Sequence, residues 1–237
     1  ITGCTFCMAV IKNTQLMKHL LLLLLVTCCL VACKNKQQEN KPVVMPAEEK
    51  KVSEVEEVTA AVSALLPSPS SFELKRAKKW HDVSGENWLV LYETGAYIEK
   101  GQTDASAKLS AVLYQKTDSG FVTKWKMKDN ITNCGLDITC TFYDDHLSIT
   151  DLDSNGIAEI TMVYALSCKG DVSPNEKKLI MYEAGKKYAI RGEELMILQN
   201  DTIGGSWKAD TAFSDAPKAF LSFAVEHWKK FGRQQYQ

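Results

Sequence analysis

A chain of 237 residues with 45% hydrophobic and 24% charged side chains can build a sizeable core, and its length leaves one or two domains open. The formal net charge of −1 excludes a broad phosphate-binding surface, so nucleic acid is not expected as a partner. Residues 1–32 carry two lysines and no acid, so their removal would take the formal charge to −3.

In chain order, Met17-Lys18-His19 is a short basic start and Leu20 to Val26 is an unbroken apolar run, too short to span a bilayer. Leu30-Val31-Ala32-Cys33 follows, and it resembles the bacterial lipobox, whose cysteine receives a diacylglyceryl group before cleavage. Residues 1–32 therefore read as a leader with Met17 as its start, and Cys33 as the lipidated first residue of the mature protein. Acyl chains contribute ~0.8 kcal/mol per buried CH₂, enough in a triacylated cysteine to hold a soluble domain on a membrane. Lys34 stands where aspartate would favour the inner membrane, so an outer-membrane lipoprotein facing periplasm or cell surface is expected.

Residues 33–71 read as a flexible tether. Lys34 to Pro42 is too polar to offset the entropy of ordering. Val52, Val55, Val58, Val62 and Leu65 suit a weak amphipathic helix, and Pro67-Ser68-Pro69-Ser70-Ser71 marks the domain edge.

From residue 72 to 237 the pattern is mainly that of strands. Runs are expected at Trp88–Tyr92, Leu109–Tyr114, Phe121–Met127, 138–142, Leu147–Thr150, Ile157–Leu166, Leu179–Tyr182 and Lys187–Ile190. Thr117-Asp118-Ser119-Gly120 signals a hairpin. Asp215-Ala216-Pro217 looks like a helix start, and Phe220, Phe223, Ala224, His227, Trp228 and Phe231 then share one helical face up to Gly232. The expected fold class is α+β: a mostly antiparallel β-sheet domain with a C-terminal amphipathic helix.

Asp151-Leu152-Asp153-Ser154-Asn155-Gly156-Ile157-Ala158-Glu159 places oxygen side chains at positions 1, 3, 5 and 9 around a glycine at 6. Calcium takes 6–8 oxygen ligands, which Asp151, Asp153, Asn155, the Ile157 carbonyl and Glu159 could begin to supply. An EF-hand is excluded, because position 12 is Met162 and both flanks read as strands. The spacing is similar to strand–loop–strand calcium sites of integrin-type propeller blades, although those close on aspartate. The same residues also suit a metal-free turn in which Asx side chains bond the backbone. Both readings stand at this point, and any calcium is expected to be structural.

Five of the eight cysteines lie at or before Cys33. Among the rest, Cys140 alternates with Ile138 and Phe142 as a small buried hydrophobe; Cys134–Cys168 is the expected disulfide, with Cys140–Cys168 or no bridge as the alternatives. His146, beside Asp144 and Asp145, reads as solvated, and His227 as a core residue. No nucleophile elbow or phosphate loop is present, and Glu193-Glu194 with Asp201 is a weak glycosidase pair, so the balance is against an enzyme.

From Leu147 to Gly192 the chain resembles a family of Gram-negative lipoproteins named for surface polysaccharide biosynthesis. The resemblance rests on Ser148 to Glu159, Ser167 to Pro174, Lys178 to Glu183 and Lys187 to Gly192, then Ala216 to Phe220 and Trp228 to Phe231. It implies a role in making or presenting lipopolysaccharide or capsule, with polysaccharide or envelope proteins as partners besides the membrane, and implies no catalytic residues. The expected function is a lipid-anchored accessory or binding domain. The competing classes are a glycan hydrolase and a structural or adhesion module.

Overall fold

Leu89 and Leu91 belong to one buried cluster, while Trp88, Val90 and Tyr92 belong to another, so this strand is covered on both faces. The computed structural model describes residues 52–59, 66, 71–199 and 201–235, all within one compact unit, Glu48–Gln237. Cys33 and the rest of the leader lie outside the described residues.

The first sheet contains β1 (Glu56–Glu57), β2 (Glu73–Asp82), β3 (Gly85–Glu93), β4 (Tyr97–Ile98), β5 (Ala105–Thr117) and β6 (Gly120–Cys134). The β5–β6 hairpin closes at the expected Thr117–Gly120 turn. The second sheet begins with β7 (Asp137–Phe142), β8 (Ser148–Thr150), β9 (Glu159–Lys169), β10 (Glu176–Glu183) and β11 (Lys186–Glu193). After β12 (Leu195–Ile197) and β13 (Thr202–Gly204), β14 (Trp207–Ala209) returns to pair with β11. A 3-10 turn (Thr211–Asp215) leads to helix α1 (Lys218–Lys230), and β15 (Arg233–Gln235) pairs in parallel with β12. All other pairings between the described strands are antiparallel. The fold is therefore mostly antiparallel sheet with one helix near the C-terminus, and the α+β label fits it loosely.

Alternation sorts the side chains into layers. Leu89, Leu91, Leu109 and Leu113 of the first sheet meet Phe142, Ile160, Met162 and Tyr182 of the second in one core. Each fully buried side chain of this size contributes ~1.5–3 kcal/mol. On the far side of the second sheet, Val163, Leu179, Met181, Tyr188 and Ile190 receive Phe220, Ala224 and Trp228 of α1, the helical stripe read from the sequence. Cys134, at the end of β6, is bonded to Cys168 on β9, with Cα atoms 5.8 Å apart, so the bridge ties one sheet to the other. Cys140 is free and buried, and burial pushes its thiol up to about 12.

Three expectations differ from what is observed. Residues 52–59 are extended rather than helical: Val52 and Val55 pack against the central core, and Val58 against the outer face of the first sheet. Opposite charges favour this pairing, since Glu56 and Glu57 lie opposite Lys79 and Lys78 and form ion pairs at 3.0 and 3.3 Å. The folded unit thus reaches further toward the N-terminus than residue 72. Asp215 does not cap α1 but closes the 3-10 turn, and Pro217 occupies the cap position with no side-chain bond. The turn sets Phe213 against Tyr188, at 5.2 Å between ring centroids. His146 is 2% exposed rather than solvated. Its ring stacks on Phe142 and its Nδ1 accepts the Val163 N–H at 3.1 Å. Burial pushes it down to about 3, so it is neutral in the core.

Candidate metal centre

The acidic loop joins β8 to β9 between the paired residues Thr150 and Glu159, so both of its ends are fixed by sheet register. Ser154 (φ 59°) and Gly156 (φ 81°) take left-handed conformations that reverse the chain. Backbone donors then point inward. Gly156 N donates to Asp151 Oδ2 at 3.2 Å, Asn155 N to Asp153 Oδ1 at 3.2 Å, and Ile157 N to Asn155 Oδ1 at 2.7 Å. These are the Asx bonds of the turn.

The turn also gathers acid. Carboxylate oxygens of Asp151, Asp153 and Glu159 all lie within 4.8 Å of one another. Asp153 is exposed, Asp151 half-buried and Glu159 fully buried. Glu159 accepts bonds from Thr150 Oγ1 and Leu152 N, both at 2.9 Å. Burial pushes its carboxyl up to about 7 despite those two donors, and the charge of Asp153 adds to the rise. Asp151 Oδ1 is buried and has no hydrogen-bond partner. A hard cation beside these oxygens would satisfy that atom and favour ionised Glu159.

Asn155 and Ile157 also take part in the hydrogen bonds of the turn itself. The Asn155 side-chain oxygen is engaged by Ile157 N, and its amide donates to Asp153 Oδ2 (3.1 Å) and Glu183 Oε1 (2.6 Å). The structure thus brings the three predicted carboxylates together, and Asn155 and the Ile157 N–H also help to shape the turn.

Two residues that sequence reasoning missed hold the loop in place. Asp82 Oδ2 accepts Ala158 N at 3.2 Å, and Glu183 receives Asn155. Val83 N also donates to Gly156 O at 2.9 Å. The Asp82-Val83-Ser84-Gly85 turn was a visible signal for one of these, but only folding places it beside residue 158. A cleft of about 690 Å³ adjoins the loop, lined by Asp151, Asn155, Gly156, Ile149, Val52 and Val55 among others.

Other candidates are accounted for elsewhere. Glu194 is 2% exposed and accepts bonds from Tyr143 Oη and Gln234 Nε2, a structural cluster at the end of α1. His227 Nε2 bonds the His146 carbonyl at 2.7 Å within the core. No helix among the described residues is long and apolar enough to cross a membrane. Comparison with known protein families, curated proteins and solved structures finds no match.

Proposed function

We propose that this chain is a lipid-anchored accessory or binding protein of the bacterial cell envelope that supports assembly or presentation of surface polysaccharide. The observation that carries the reading is the order from Met17 to Cys33: basic start, apolar run, then Leu30-Val31-Ala32-Cys33. The Cys134–Cys168 bond supports it, because such bridges persist in oxidising compartments. The polysaccharide role is supported by the resemblance of residues 147–192. Asp151, Asp153 and Glu159 bind calcium as a structural ion, a reading supported by their convergence and the unpartnered Asp151 Oδ1.

Growth of the wild type and a Cys33→Ala variant with an alkyne fatty acid tests the anchor. Label and membrane retention are expected for the wild type and lost in the variant; equal retention without label overturns the anchor. A thermal melt with millimolar calcium and with chelator tests the ion, and a higher melting temperature in calcium is expected. Identical melts remove calcium from the reading. Altered lipopolysaccharide or capsule in a deletion strain tests the cellular role.

A further inference from the structure

Lys177, on β10, is 2% exposed and ends beneath the last turn of α1. Its Nζ donates to Phe231 O at 2.8 Å and to Trp228 O at 3.3 Å, and lies 4.0 Å from the centre of the Trp228 ring. These contacts offer the ammonium carbonyl dipoles and a π face. No ion pair joins Lys177 to a carboxylate among the described residues, and burial lowers its affinity for the proton to about 8. The charge of the nearby buried Glu194 offsets only part of that burial, Arg233 works against it, and a bound anion would offset more.

The surroundings have room for one. A pocket of about 190 Å³ is lined by Lys177, Lys229, Arg233, Trp207, Trp228 and two glycines, with no aspartate or glutamate in its walls. Lys229 shares its charge with Glu226 at 2.8 Å, whereas Arg233 has no ion pair among the described residues. Trp207 is 44% exposed, an indole left partly open to solvent beside this positive charge. Gly204 and Gly205 allow the wall to pack closely. A Cβ on Gly204 would fall 2.3 Å from Glu194 O, and one on Gly205 would fall 2.9 Å from a Leu195 methyl.

We propose that this pocket binds a sugar ring bearing a carboxylate or phosphate, with the anion at Lys177 and Arg233 and the ring face against Trp207. Cations with two indoles and no acid are the chemistry that acidic saccharides call for: charge-assisted hydrogen bonds for the anion and aromatic faces for the C–H-rich side of the ring. The sugar class rests on the polysaccharide reading; the anion preference rests on the pocket alone.

The test follows the Trp207 and Trp228 indole N–H signals of the ¹⁵N-labelled full chain in detergent. The probes are trigalacturonic acid, glucose 6-phosphate, maltotriose and inorganic phosphate. At least one acidic sugar is expected to shift both indoles and to bind about tenfold more tightly than maltotriose or inorganic phosphate. Trp207→Ala and Arg233→Ala, both at exposed positions, should each weaken it about tenfold with unchanged melting temperature. Response to trigalacturonic acid or to glucose 6-phosphate separates the carboxylate from the phosphate. Silence from both acidic sugars, equal binding of maltotriose or inorganic phosphate, or variants that bind like the wild type would overturn the proposal. Acidic-sugar binding beside an unaltered polysaccharide profile in a deletion strain would uphold the pocket and overturn the cellular reading.

Discussion

The acidic loop and the Lys177 pocket each concentrate one sign of charge, but they are assembled in opposite ways. Asp151, Asp153 and Glu159 come from nine consecutive residues, and the turn that gathers them is closed by its own backbone bonds. Lys177, Trp207, Trp228 and Arg233 come from β10, β14, α1 and β15, and nothing in their local sequence holds them together. A contiguous site is sensitive to the loop that builds it, whereas a dispersed site depends on the packing of the second sheet, the helix and the small β12–β13–β15 sheet together.

That contrast can be broken at four points. The largest effect is expected from replacing Cys134 and Cys168 together with alanine. The bridge spans 34 residues, and its loss should cost about 4 kcal/mol in urea unfolding. Because it ties scaffold rather than either site, calcium should still raise the melting temperature; loss of that response would show that the loop leans on the bridge.

Next is acid. His146 is held down to about 3 in the fold against 6.5 when unfolded, so its contribution is complete above pH 6.5 and lost as pH falls toward 3. About 3 kcal/mol should disappear between pH 6.5 and 4. A His146→Asn variant, which keeps an acceptor for Val163 N, should show a flatter stability profile over that range.

Glu159 has the opposite sign. Its carboxyl is raised to about 7, so in chelator the stability it contributes is complete below pH 4.5 and lost as pH rises to 7, about 3 kcal/mol at most. Glu159→Gln should abolish both that slope and the calcium-induced rise in melting temperature, while leaving the indole response to acidic sugars intact. The smallest effect, about 1–2 kcal/mol, is expected for Gly232→Ala. Gly232 has φ 64°, and an added Cβ would lie 2.8 Å from Tyr143 Oη and 3.0 Å from Lys177 Cδ. This change should weaken sugar binding and spare the calcium response, the mirror image of Glu159→Gln. If either variant disturbs both sites, the two are coupled through β9 and β10 and the contrast fails.

The same distinction explains what could be read from the chain. The β5–β6 hairpin, the helical stripe from Phe220 and the turn at residues 151–159 are written in short-range spacing, whereas the Cys134–Cys168 pairing, 34 residues apart, was one of several left open. β2 was missed because Glu73–Asp82 is mostly charged and fully buries only Ala77, Trp80 and Asp82. His146 was misread because its acidic neighbours are exposed while its ring turns inward onto Phe142. The extended path of residues 52–59 depends on Lys78 and Lys79, some twenty residues away. Lys177 gave no local sign of burial, since the carbonyls that hold it lie 51 and 54 residues downstream.

Cys140 gives the scaffold a reporter of its own. Among the described residues it is the one free cysteine, enclosed in the core and held as a thiol. A thiol-reactive dye therefore has no target in the closed domain, and the rate at which it couples counts how often the sandwich opens. With the five cysteines at or before Cys33 removed or blocked, slower coupling on addition of calcium or sugar would measure how firmly each ligand keeps the two sheets together.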